Sequence, residues 1–350
     1  MLKNLITLTA SLATSVVCLA PFTLLASEPY TLASRYIAIA IQGDLSMAPE
    51  LFLANTPGDE GSDAALQQQF QERFLSAQAR PEDFSETGFM AGITLAYREY
   101  WKSALLDESG HEEHLETLET RLAAILRRFH GKPTEGASVY QGLHDAFRSR
   151  GIHFLDSPAP PLRDLFLWQS EELGQYTVQL TDERLVLNVN FMDEFLLQGW
   201  KDYASLGLAT TTGWVEDDTL YCIAWAYDTE SENFRVSYLK HEARHLVDLA
   251  QYPDMESTEL EYRAKLTELA FANRSLKRVL DDFTEKAAQN PDSPHAMANW
   301  RVVRDMHWVL YGEELPEDFV EWGHLDTGKV NRLARQLLAL NTQTHRAAGA

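Results

Sequence analysis

What most constrains this chain is a change of hydrophobic period across one proline-dense stretch, Asp156-Ser-Pro-Ala-Pro-Pro161. Before it, from about Asp63 to Arg150, apolar residues recur at three and four spacing, as in Phe89, Ile93, Ala96, Tyr97 and Trp101, and predict helices. Within that region a helix is expected from about Glu112 to His130. It is acidic at its start and carries Arg127 and Arg128 at its end, as the helix dipole favours. Proline at the density of 156–161 continues neither a helix nor a central strand, so a lobe boundary is expected there.

After it the period becomes two. Tyr176-Thr-Val-Gln-Leu180 and Arg184-Leu-Val-Leu-Asn-Val-Asn-Phe191 alternate about a Thr181-Asp182-Glu183 turn, which predicts a hairpin. Gly213–Val215 and Thr219–Trp225 predict a second pair of short strands, and helices follow to the C-terminus. The expectation is an α+β protein with a mainly helical N-terminal lobe over 27–160 and an α+β lobe over 161–350, its small mixed or antiparallel sheet packed on a helix.

With 350 residues and 45% hydrophobic composition the chain can bury a core, which excludes intrinsic disorder. Thirty Lys and Arg against 52 Asp and Glu give a net charge of −22, which excludes nucleic acid and anionic membrane as main partners. Residues 1–26 read as an export signal. Lys3 supplies a small basic region, Leu5–Leu25 is apolar, and no acid precedes Glu28. The expected location is periplasmic or secreted, the alternative being an uncleaved membrane anchor over residues 5–25. Two cysteines make no disulfide scaffold. Cys222, between Tyr221 and Ile223, reads as a buried strand thiol.

The chemistry is carried by His241-Glu242-Ala243-Arg244-His245, an H-E-x-x-H sequence inside an expected helix. Thr229 or Ser231 offers a cap, an apolar stripe runs through Phe234, Val236, Leu239, Leu246 and Leu249, and Pro253 ends it. Residues four apart on a helix differ by about 40° and rise about 6 Å, so His241 and His245 can share a metal, and two imidazoles suit Zn2+. Glu242 follows the first ligand and can reach a water held on the metal as a general base. A third ligand must lie nearby. From His245 the helix climbs about 9 Å to Gln251, so a returning helix must descend roughly six residues before facing the metal. This ranking favours Glu261, allows Glu268 and disfavours Glu259.

HExxH followed by Glu on the next helix resembles the gluzincin branch of zincin metallopeptidases, over about 60 residues from Gly213 to Phe271. Glu261-Tyr-Arg-Ala264 is similar to the E-x-x-A part of the E-x-x-A-D box of CAAX-protease-type enzymes, which strengthens Glu261 as the third ligand. Lys265 stands where that box has the Asp that orients a ligand His, and Asp248, one turn after His245, is the expected substitute. Asp248 and Gln251 exclude the metzincin pattern. The resemblance implies a zincin-like catalytic lobe, a peptide or protein substrate, and a strand edge along Gly213–Trp225 where an extended peptide can lie. The competing expectation is a non-catalytic exported interaction protein that keeps a structural or vestigial zinc site.

His111-Glu-Glu-His114 has its histidines three apart and reads as an exposed acidic helix. His295, His307, His324, Tyr262 and Tyr311 are equally eligible as donors to a reaction oxyanion. Trp101, Trp225 and Trp308 fit core positions.

Overall fold

The computed structural model describes residues 31–54, 62–76, 88–130, 138–158, 161–216, 219–291, 293–316 and 322–348. The expected export segment lies outside the described residues. Among the described residues no helix is long and apolar enough to cross a membrane.

The fold is α+β, with a five-stranded mixed sheet in the order β1-β2-β3-β5-β4. The strands are β1 (His153–Ser157), β2 (Asp164–Gln179), β3 (Arg184–Gln198), β4 (Gly213–Glu216) and β5 (Thr219–Ile223). The expected hairpin is present, closed where Leu180 N donates to the Glu183 carbonyl at 2.8 Å. Its arms are longer than alternation predicts. At Leu165, Phe166, Leu167 and Trp168 successive side chains are all buried, so β2 has no period-two signal there. β1 pairs antiparallel with β2 at the end of the sheet and stops at Ser157, before Pro158.

The chain divides into two compact units that interleave in sequence. One holds Leu173–Phe191 and Val215–Ala350, the other the described residues up to Glu172 together with Met192–Trp214. Among the described residues the changeovers therefore fall at 172/173, 191/192 and 214/215.

The unit containing Met192–Trp214 carries α1 (Leu32–Ala40), α2 (Ala48–Ala54), α3 (Ser62–Phe70), α4 (Phe89–Leu106), α5 (His111–Phe129), α6 (Val139–Arg148) and α7 (Gly199–Ala204). Its core gathers Tyr36, Phe52, Phe70, Phe74, Trp101 and Phe147, and each such aromatic contributes about 2–3 kcal/mol by burial. Tyr36 donates its hydroxyl hydrogen to the Ala204 carbonyl at 2.6 Å. Gly199 has φ +80°, and a Cβ there would lie 2.6 Å from Phe166 Cζ. Beside it the half-buried Asp164 carboxylate accepts from the backbone N–H groups of Trp200 and Leu165, and desolvation pushes its pKa up to about 6.

The other unit carries α8 (His241–Gln251), α9 (Ser257–Phe271), α10 (Leu276–Glu285), α11 (Pro294–Tyr311) and α12 (Thr327–Ala348). Its apolar core joins Leu266, Leu269, Leu280, Phe283, Val302, Met306 and Leu338. α9 packs against α8, α11 and α12, and every residue from Leu260 to Ala270 is buried. The buried set includes Glu261, Arg263, Lys265 and Glu268, and charged side chains enter an interior only when paired. Of the tryptophans expected in cores, Trp101 is fully buried, whereas Trp225 and Trp308 are more than half exposed. Trp225 follows the end of β5 and Trp308 lies on the outer side of α11, so apolar type alone misplaced both.

Candidate metal centre

Ser231 Oγ accepts from Phe234 N at 3.1 Å and starts the helical segment, as expected of a capping side chain. The first turns, Phe234–Lys240, are π-helical, and regular α-helix begins at His241. Such wide turns are frequent at functional sites. Phe234 and Tyr238 stack beneath the segment, and Tyr238 donates to the Tyr221 carbonyl on β5 at 3.0 Å. Lys240 donates to the Gln179 carbonyl, and Arg244 Nη1 reaches Asp182 Oδ1 at 3.3 Å, so the hairpin tip is bound to the start of α8.

His241 and His245 project from one face of α8 with Nε2 atoms 3.0 Å apart and rings nearly perpendicular. After a turn in which Met255 N donates to the Tyr252 carbonyl, α9 brings Glu261 to the same point. Its Oε1 lies 3.2 Å from His245 Nε2 and its Oε2 lies 3.5 Å from His241 Nε2. The three residues form a buried group whose ligand atoms all lie within 4.8 Å of one another. A metal with bonds of about 2.0–2.1 Å at tetrahedral angles sets its ligand atoms roughly 3.3–3.4 Å apart, close to the 3.0 Å between the two Nε2 atoms and the 3.2 Å between His245 Nε2 and Glu261 Oε1. Two imidazoles and a carboxylate are also a donor set that zinc accepts. Among the described residues, neither Glu261 Oε2 nor His245 Nδ1 receives or makes a hydrogen bond of regular geometry.

Glu268, one of the two alternatives to Glu261, lies behind the group. Its Oε1 is 2.7 Å from His241 Nδ1, with both side chains buried. That is the carboxylate contact that orients a ligand imidazole. The expectation that Asp248 fills this role is corrected by the geometry. Asp248 is fully buried and held by Arg263 through Nε at 2.7 Å and Nη2 at 2.8 Å, and by Arg244 Nη2 at 2.6 Å. Two guanidinium groups occupy its oxygens. Arg263 continues to Asn341 Oδ1 at 2.6 Å and Thr342 Oγ1 at 3.0 Å on α12. Glu259, disfavoured by the rise argument, faces Arg301, Asn341 and His345 instead.

Glu242 is buried in the first turn of α8. Cys222 is fully buried; burial pushes its thiol up to about 12, a hydrogen bond with Tyr238 lowers it and the nearby Glu242 carboxylate raises it. Among the five donor candidates, His295 reaches the group, its Nδ1 2.9 Å from Glu261 Oε2 and its side chain 38% exposed. His307 is bound to the Glu313 carbonyl with its ring against Tyr311, Tyr262 donates to Asp305, and His324 is exposed. Lys265 Nζ approaches Glu261 Oε2 at 3.8 Å and lies over the Phe283 ring.

Burial alone would favour the neutral forms of these groups, and their mutual pairing reverses that. Desolvation lowers the His241 pKa, but hydrogen bonding and charge from Glu261 and then Glu268 carry it up to about 10. Desolvation raises that of Glu261, but the imidazoles of His245, His295 and His241 hold its carboxyl well below the usual carboxylate range. Without a metal the centre is therefore an imidazolium–carboxylate cluster.

No family model, curated protein or solved structure matches the chain.

Proposed function

We propose that this protein is a zinc-dependent metallohydrolase, a peptidase of gluzincin type with a zincin-like catalytic lobe. The observation that carries the reading is the convergence of His241, His245 and Glu261 from two successive helices onto one buried point. Further support comes from the order of elements, β4 and β5 followed by the helix that bears H-E-x-x-H.

In this reading His241, His245 and Glu261 hold Zn2+, and the bound ion supplies a Lewis acid that brings the pKa of water from 15.7 to about 7. Glu242 accepts the proton of the attacking water and delivers it to the leaving amine. Glu268 keeps the His241 Nδ1 proton in place, so that Nε2 offers its lone pair. The substrate is a peptide or protein, and residues 1–26 direct the chain out of the cytoplasm.

Glu242→Gln separates base from ligand. Zinc content equal to wild type, with cleavage of a broad peptide pool reduced about 10²–10⁴-fold, supports the proposal. Absence of zinc from both proteins, or undiminished cleavage by the variant, refutes it.

A further inference from the structure

We propose that Lys265 and His295 are positioning residues that hold one oxygen of Glu261, Oε2, so that Glu261 offers a metal only Oε1. The inference rests on the metal-centre reading above and adds to it the number of oxygens that Glu261 contributes.

The two carboxylate oxygens have different surroundings. Oε1 faces His245 Nε2 at 3.2 Å. Oε2 is approached by three nitrogens within ion-pair distance, none in regular hydrogen-bond geometry: His295 Nδ1 at 2.9 Å, His241 Nε2 at 3.5 Å and Lys265 Nζ at 3.8 Å. Lys265 is only 7% exposed, and a buried ammonium needs an anion. Among the described residues the carboxylate in ion-pair range is Glu261, four residues earlier on the same helix, and the face of Phe283 covers the other side. His295 comes from the start of α11 and is partly exposed, so it reaches Oε2 from a different element. One oxygen thus faces Lys265 and His295, and the other is left to the ligand position.

The consequence is a matter of coordination number. A carboxylate that binds through both oxygens fills the place that a catalytic zinc keeps for solvent, whereas one that binds through a single oxygen leaves it open. Lys265 stands where the resemblance leads one to expect an acid acting on a histidine ligand. Here that position acts on the carboxylate ligand, and Glu268, three residues further on, takes over the histidine.

Cobalt(II) tests this without any assay of turnover. Wild type, Lys265→Met and His295→Gln are titrated with Co2+ alone, circular dichroism confirming the native fold. The expected result is stoichiometric uptake by wild type with the intense visible bands of a four-coordinate ion. Both variants then take up Co2+ with fainter bands, as Oε2 joins the coordination sphere. Should Lys265→Met fail to fold, His295→Gln decides alone, since its side chain lies at the rim. Wild-type band intensity in the folded, Co2+-loaded variants overturns the positioning role and leaves the metal centre standing. Failure of wild type itself to take up Co2+ overturns both.

Discussion

Glu268 Oε1 lies 2.7 Å from His241 Nδ1, joining the middle of α9 to the first residue of α8 through two buried side chains. A carboxylate in that place fixes the imidazole's orientation and raises its basicity toward a metal on Nε2. Glu268→Gln keeps the shape and removes the charge. Its zinc affinity is expected to fall about 10–100-fold, measured by competition with a chromophoric chelator. Unchanged affinity would remove Glu268 from the centre.

Proton release should accompany metal binding. With its pKa raised to about 10, His241 is an imidazolium at neutral pH and must lose that proton before it ligates. Calorimetric titration with zinc at neutral pH, in two buffers of different ionisation enthalpy, should report release of about one proton from this residue. Affinity should rise with pH up to about 10.

The same shifts set a stability profile for the metal-free protein. A raised pKa stabilises the fold fully below the ordinary value of 6.5, progressively less above it, and not at all beyond about 10. The lowered pKa of Glu261 acts oppositely: its contribution is present above 4.5 and is lost as pH falls through the depressed value. Urea unfolding in chelator should give a lower midpoint at about pH 10 than at about pH 6, and a second decline in strong acid.

Arg263 clamps Asp248 with two nitrogens and reaches α12 with the third. Arg263→Met should cost about 3 kcal/mol in denaturant unfolding, the lower end for breaking a buried pair, because Arg244 still neutralises Asp248. A loss below about 1 kcal/mol would show that the clamp is dispensable.

Gly199→Ala probes the other unit. Its φ of +80° disfavours any side chain, and the added methyl meets the Phe166 ring at 2.6 Å. The expected destabilisation is about 2–4 kcal/mol, from overpacking and backbone strain together. Thermal unfolding measures it.

Much of the centre was legible in the sequence because helical spacing is a local rule. His241 and His245 follow from four-residue periodicity, and the rise argument ranked Glu261 above Glu259, which turns to Arg301. What escaped depends on tertiary choice. Asp248 sits at a plausible spacing to orient a histidine, but Arg244 and Arg263 claim it, and nothing in the local pattern says that two guanidinium groups outcompete an imidazole. His295 was one of five equivalent donors, and the start of a distant helix singled it out. α9 is buried all round, so its charges cannot be told from a solvated face by period alone. The hairpin was visible where one face of the sheet is wet and invisible where both are covered, at Leu165–Trp168.

The changeovers of the chain between its compact units at 172/173, 191/192 and 214/215, among the described residues, limit how the gene can be dissected. No single stop or start codon yields either unit whole. A fragment beginning at 215 keeps all three candidate ligands but forfeits the hairpin tip whose Asp182 and Gln179 brace Arg244 and Lys240. Minimal versions of this protein must be made by circular permutation or by internal excision with a bridging linker, because simple truncation discards strands that α8 leans on.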